Sequence, residues 1–225
     1  MCIVENEPRS IAAESYRTLR TNIQYSSFDK EYRTIVITSS EPGEGKSTTS
    51  GNLAISLSQG EKKVVLIDCD LRKPTMHKRF KLSNIKGLSD IIVGKADVTS
   101  VLQKYNDNLA IITSGKIPPN PAEMIGSKSM NALLEALKKV FDYIILDTPP
   151  VQAVTDAQIL ANKADATILV IRAEKTKKDS INNSLNLLKK VNANVIGTVL
   201  NGVNMKERHY YYYYGDNSET QNVGE

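Results

Sequence analysis

The residues best equipped for chemistry form one block, Ser39-Ser40-Glu41-Pro42-Gly43-Glu44-Gly45-Lys46-Ser47-Thr48, placed directly after a β-branched run and before a helix-compatible segment. Gly43 and Gly45 let backbone N–H groups turn inward around phosphate oxygens, with Glu44 and Thr48 inside the same loop. Lys46 adds a cation at the β/γ end, and Ser47 offers a hydroxyl to Mg²⁺ at the positive end of the helix. The block follows G-x-x-x-x-G-K-[ST] except that Ser40 stands where the first glycine is usual. A glycine turn that merely joins strand to helix is the bland alternative; the strand before and the helix after argue for a phosphate loop.

Three carboxylates complement it. Val64-Val65-Leu66-Ile67-Asp68-Cys69-Asp70-Leu71-Arg72 and Ile144-Ile145-Leu146-Asp147-Thr148-Pro149-Pro150 each end an apolar run on an acid. An Asp at the point where a strand emerges is held rigidly and can take Mg²⁺ directly or through water. Asp70 and Asp147, with Ser47, are the candidate metal set. Asp68 and Asp70, two apart in extended chain, share a face and could divide metal binding and proton abstraction between them. Alone, each acid reads equally as a turn residue or helix cap. Arg72 could orient these acids, contact phosphate or form a surface ion pair.

The third feature is a run of five tyrosines, Tyr210, Tyr211, Tyr212, Tyr213 and Tyr214, half of the ten in the chain, set in polar surroundings. Consecutive aromatics cannot all face one core from a strand, because alternate side chains point to opposite sides. A sticky edge strand, an interaction patch or a base-stacking surface are the other readings. From Val203 to Tyr212 an extended chain spans on the order of 30 Å, enough to reach a neighbouring subunit.

The elements that must position these groups follow from periodicity. Residues 34–38, 64–68, 109–113, 143–147, 167–171 and 195–200 are short β-branched runs of the kind covered on both faces, and helices are expected near 46–59, 121–139, 154–163 and 178–191. This alternation predicts an α/β P-loop fold with a mostly parallel, doubly wound sheet flanked by helices, its ligand edge at the strand C-termini. Residues 8–28, opening at Pro8, predict an N-terminal helix carrying Glu14, Arg17 and Arg20 at spacings of three, able to pair within the helix or with another chain. The division is therefore residues 1–30 as N-terminal helix, 31–203 as nucleotide domain and 204–225 as a mobile tail.

Composition bounds the partners. A chain of 225 residues with 40% hydrophobic and 24% charged residues suits one sizeable domain, and a net charge of +4 gives no argument for nucleic-acid binding. Two cysteines, Cys2 and Cys69, are too few for a disulfide framework and suit a reducing, cytoplasmic setting. No apolar stretch near 18 residues and no leader is present, so membrane association is expected only through a partner. His77 and His209 lack ligand-spaced partners, so no histidine metal site or base is assigned.

The chain resembles the bacterial tyrosine kinases that accompany capsule and exopolysaccharide synthesis, of the cytoplasmic subunit type. The resemblance covers nearly the whole chain and rests on the loop around Lys46, the D-x-D-x-R segment at Asp68, Asp70 and Arg72, the strand ending at Asp147 with Pro150, the E-x-x-R-x-x-R pattern at Glu14, Arg17 and Arg20, and the terminal tyrosines. It implies ATP- and Mg²⁺-dependent phosphorylation of the tail tyrosines in a neighbouring subunit, with further protein tyrosines as substrates. It also implies ring-like oligomers through the N-terminal helix, and activation by a transmembrane protein at the inner face of the membrane. Resemblance to related P-loop ATPases makes Asn201 a candidate reader of the adenine edge, with a plain turn asparagine as the alternative.

The rival class is a partition or septum-positioning ATPase, which uses nucleotide-driven dimerisation as a switch. Such proteins carry a lysine early in the loop, in K-G-G-x-x-K-[ST]; aligned on Gly45-Lys46-Ser47, this chain has Glu41 there. A nucleotide-binding scaffold without catalysis is the third reading, supported only by Ser40.

Overall fold

The computed structural model describes residues 2–26 and 31–203. Its seven strands are β1 (Thr34–Ser39), β2 (Val64–Asp68), β3 (Gln103–Lys104), β4 (Leu109–Ile112), β5 (Tyr143–Asp147), β6 (Ala166–Arg172) and β7 (Val195–Asn201), in the sheet order β3-β4-β2-β5-β1-β6-β7. All neighbours pair in parallel except β3 with β4. This is the expected doubly wound plan with one antiparallel edge. Ten helices are described: α1 (Ile3–Asn6), α2 (Ile11–Tyr25), α3 (Lys46–Gln59), α4 (Met76–Phe80), α5 (Leu88–Ile92), α6 (Val98–Val101), α7 (Pro121–Gly126), α8 (Lys128–Lys138), α9 (Asp156–Lys163) and α10 (Lys178–Lys190).

The strand period of two divides the interior into two layers. Val36, Val65, Ile67, Ile144 and Leu146 point to the side covered by α8 and α9, while Ile35, Ile37, Val64, Leu66 and Ile145 point to the side covered by α3. Removing each such side chain from water is worth roughly 1.5–3 kcal/mol, which is what fixes the strand ends and the acids they carry. Register does the rest. Asp68 stands opposite Asp147, and Ile37 of β1 is the other neighbour of Asp147, so the two acids emerge side by side next to the loop that follows β1.

Several boundaries differ from expectation for local reasons. The N-terminal helix does not start at Pro8: a four-residue α1 precedes it, and Ser10 caps α2 by accepting the Ala13 N–H at 3.2 Å. Val4, Ala13 and Ile23 are buried against the domain, so α1 and α2 pack onto α3 and share its core. The single helix expected over 121–139 is two, because Ser127 leaves the helix for extended geometry and caps α8 by accepting the Met130 N–H at 3.1 Å. Helix α9 begins at Asp156, after the turn at Thr155, two residues later than expected. The two-residue β3 and the short α4, α5 and α6 carry too few residues to show a period.

Candidate active site

The loop between β1 and α3 is shaped by two glycines in left-handed backbone geometry, Gly43 (φ 82°) and Gly45 (φ 101°). Gly45 is the N-cap of α3 and supplies no side chain to its first turn, leaving the N–H groups there for a ligand. Gly45 is also sterically committed: a Cβ on it would lie 1.9 Å from Nδ2 of Asn201. That amide donates to the Glu44 carbonyl at 2.9 Å. Asn201 thus braces the phosphate loop from the end of β7.

Other braces converge on the loop. The Glu44 carboxylate accepts the Glu41 N–H at 3.0 Å and the Thr176 hydroxyl, and Arg172 donates to the Gly43 carbonyl at 3.1 Å. Glu41, at the position where the rival class has its lysine, accepts from the Ser180 hydroxyl of α10 at 2.8 Å. Its charge is turned toward its own chain. Ser40 is fully buried, and a small residue there fits without a glycine.

Lys46 is the hub. Its ammonium stands 3.0 Å from Oδ2 of Asp70, 3.2 Å from Oγ of Ser47 and 3.7 Å from Oδ2 of Asp147. Burial pulls the Lys46 pKa down, but Asp147 and Asp70 overcome it and the net shift is upward, so the cation is secure. Asp147 is wholly enclosed and accepts from two hydroxyls, Ser47 at 2.7 Å and Ser50 at 3.0 Å. Burial raises its pKa, against the pull of Lys46 and those hydroxyls.

Asp68 and Asp70 play different parts. Asp68 has no exposed surface and accepts three backbone N–H groups, from Asp70 at 3.2 Å and from Thr75 and Met76 at 2.9 Å each. Burial, with the Asp147 charge beside it, pushes its pKa up to about 7 in spite of those bonds. Asp70 is 5% exposed, accepts the Lys73 N–H at 2.9 Å through Oδ1 and turns Oδ2 to Lys46.

The donors fit a hard cation that arrives with phosphate oxygens: a hydroxyl on Ser47 and a carboxylate on Asp147 are already joined, with no nitrogen or sulfur in the set. Among the described residues no three His, Cys, Asp or Glu side chains close into a cation cage by themselves. Asp70, the third expected member, is linked to the other two only through Lys46.

The remaining expected residues fall as follows. Arg72 pairs through two bonds, 3.1 and 3.2 Å, with the fully buried Asp156 at the start of α9, a partner that sequence spacing did not reveal. Glu14 and Arg17 form an exposed pair at 2.8 Å, and Arg20 donates to the Ser56 carbonyl of α3 at 2.7 Å. Tyr210, Tyr211, Tyr212, Tyr213 and Tyr214 lie outside the described residues. Sequence reasoning missed Ser50, Arg172 and Thr176. Ser50 was findable, since it follows Ser47 by three residues on the same helix face; the other two come from β6 and the turn after it, where only the fold creates proximity.

A family model described as an AAA domain matches residues 32–200. The tyrosine-protein kinase YwqD of Bacillus subtilis is 44% identical over 214 residues, which is 95% of this chain and 90% of that protein. The kinase domain of the Escherichia coli tyrosine kinase ETK superposes with a TM-score of 0.86 at 34% identity, covering 89% of this chain and 79% of that one. A chimerical protein, CapA2B2, does so with a TM-score of 0.84 at 36% identity, with 88% of each chain covered. With such identity carried over nearly its full length and on the same fold, this chain belongs to the bacterial tyrosine-protein kinases.

Proposed function

We propose that this kinase transfers the γ-phosphoryl group of ATP to its own tail tyrosines, Tyr210 to Tyr214, presented by a neighbouring copy. The observation that carries this reading is the packing of Lys46, Ser47, Asp70 and Asp147 around one point at the mouth of a glycine loop. Beside it stands a sequence with five consecutive tyrosines.

The loop N–H groups and Lys46 hold the phosphates, Ser47 and Asp147 would hold Mg²⁺, and Asn201 keeps the loop in shape beneath the nucleotide. Held there, Mg²⁺ would neutralise the phosphate charge that builds during transfer. Asp70 takes the phenol proton; what supports it over Asp68 is its partial exposure and its contact with Lys46, whereas Asp68 is enclosed and spends its oxygens on loop N–H groups. Phosphoryl transfer breaks the β–γ bridging P–O bond and forms the tyrosine O–P bond, leaving ADP. A phenol needs little beyond alignment and a nearby acceptor.

Assembly follows from the same reading. Glu14 and Arg17, exposed on α2, and Arg20 beside them form the edge through which copies join into a ring. A transmembrane activator holds the kinase at the inner membrane face, where it serves capsular or extracellular polysaccharide synthesis and other tyrosine substrates. No helix among the described residues is long and apolar enough to cross a membrane. The chimerical CapA2B2 relative supports a second component working with a kinase of this kind.

The test is a mixing experiment with Mg-ATP. A chain with Lys46→Met but intact tyrosines is mixed with a chain in which Tyr210 to Tyr214 are all Phe. Phosphotyrosine on the Lys46→Met chain is expected; its absence, with wild-type chain labelling itself normally, would rule out transfer between copies.

A further inference from the structure

Immediately outside Asp70 the chain forms a groove of about 640 Å³ whose wall includes Arg72, Lys73, His77, Lys78 and Lys116, with no acidic side chain lining it. The groove and the site share a floor, because the Lys73 N–H holds Asp70 and the Thr75 N–H holds Asp68. Arg72 is neutralised by Asp156. Among the described residues Lys73, Lys78 and Lys116 have no carboxylate within ion-pair distance. The groove is thus a cationic surface, open beside the acid assigned to the phenol proton.

The sequence contains a complementary segment. Ahead of the tyrosine run stand Lys206, Arg208 and His209 with one acid, Glu207; behind it, residues 215–225 carry Asp216, Glu219 and Glu225 and no lysine or arginine. Charge therefore changes sign across the tyrosines. With Tyr212 at Asp70, an extended chain sets Asp216 roughly 13 Å and Glu219 roughly 23 Å further on, at about 3.3 Å per residue. The tail leaves from β7, at the edge of the sheet opposite to the β2 and β4 side that carries the groove.

We propose that this groove docks the acidic stretch, residues 215–225, of a second copy of the chain, and that it sets which tyrosines are offered to Asp70. The proposal rests on the reading of the tail as substrate and adds what recognises it: a run of tyrosines followed by acids is the preferred acceptor, and tyrosines without that flank are poorer ones. The lysines act on binding rather than on the phosphoryl transfer itself, because none of the three side chains contacts Lys46, Ser47 or Asp147.

The experiment uses the full chain with Tyr210 to Tyr214 changed to Phe and with Asp216→Asn, Glu219→Gln and Glu225→Gln, so that its own tail neither takes label nor competes. The probes are two synthetic peptides of residues 204–225, one native and one with the same three acids neutralised. Binding is read by fluorescence anisotropy at low and high salt, and transfer from Mg-ATP as separate kcat and KM. Expected is a Kd and KM roughly five- to tenfold lower for the native peptide at low salt, as two or three exposed ion pairs supply, converging as salt rises, with kcat the same for both. In the Lys78→Glu, Lys116→Glu variant the preference disappears, and a peptide with lysine at 216 and 219 regains it. Equal KM for both peptides, or a preference that survives the lysine changes, overturns the proposal. Charge-dependent binding without any transfer would instead sink the tail as substrate and leave the groove as its docking surface.

Discussion

Replacing Gly45 by alanine tests the geometry of the phosphate loop in numbers. The backbone at Gly45 sits at φ 101°, where a side chain costs about 1–3 kcal/mol. The new Cβ also lies 1.9 Å from Nδ2 and 3.0 Å from Cγ of Asn201, so that amide must leave and break its 2.9 Å bond to the Glu44 carbonyl, about 1 kcal/mol more. Reduced freedom of the unfolded chain returns about 0.4–1 kcal/mol. A net loss near 2 kcal/mol is expected, a fall in Tm of about 4–8 °C and a 10- to 100-fold weaker ATP affinity, on the order of 1.4 kcal/mol per decade. Gly43→Ala is the control: its φ is 82°, but nothing lies within 4 Å of the added carbon, so only the strain is felt. Asn201→Ala completes a double-mutant cycle, and combining it with Gly45→Ala should recover the clash but not the strain, a coupling of about 1 kcal/mol. Calorimetric ATP titration and thermal melts of the wild type and these four variants measure this. If Gly43→Ala and Gly45→Ala cost the same, or the coupling is zero, Asn201 does not brace the loop as described.

Other perturbations follow from the same geometry. Ser50→Ala leaves one oxygen of the enclosed Asp147 without its 3.0 Å donor and should lower stability by about 1–3 kcal/mol; an unchanged melting temperature would refute the role of Ser50. Because burial and Asp147 push the Asp68 pKa up to about 7, the folded chain holds a proton that the unfolded chain has lost between about pH 4 and pH 7. Stability from this group is full below about pH 4 and is lost as pH rises to about 7, so denaturant melts of the nucleotide-free chain should lose this contribution across that window and Asp68→Asn should flatten the slope. A slope unaltered by the substitution would count against it. Cys2 is buried where α1 and α2 meet α3, and burial raises its thiol pKa. It should resist thiol reagents until Arg20→Ala removes the 2.7 Å tie to Ser56; equal reaction rates in the two proteins would show that this tie does not hold the segment down.

How much of this was legible in the sequence depends on the length scale of each signal. Six of the seven strands were readable because each is a continuous β-branched run, but the cover expected on both faces fails for β7, an edge strand that leaves Gly197, Thr198 and Leu200 exposed; the two-residue β3 is too short to carry any pattern. Lys46, Ser47 and Asp147 were readable because a strand end or a helix start fixes each one, and Asp70 because it follows the end of β2 by two residues; the register of β2 with β5 sets that end beside Asp147. The braces were not. Arg172, Thr176 and Ser180 reach the loop across more than 125 residues of chain, through hydrogen bonds that only the packing of β6 and α10 creates. The break at Ser127 did carry a signal, Gly126 followed by a capping serine, but the apolar pattern continuing on both sides favoured one helix. Asp68 and Asp70 looked equivalent by alternation, and the turn through Thr75 and Met76 separates them by closing over one and not the other.

The central claim is that the point where Lys46, Ser47, Asp70 and Asp147 meet delivers phosphate to tyrosine in this chain's own tail. The most direct measurement is mass spectrometry of the intact chain and its tail peptides after incubation with Mg-ATP, beside Asp70→Asn and the five-fold Phe variant. Phosphate confined to Tyr210 to Tyr214 in the wild type, and reduced at least about 100-fold in Asp70→Asn, is what the account predicts. Hydrolysis of ATP with no phosphotyrosine on the chain, or full labelling in Asp70→Asn, would contradict it.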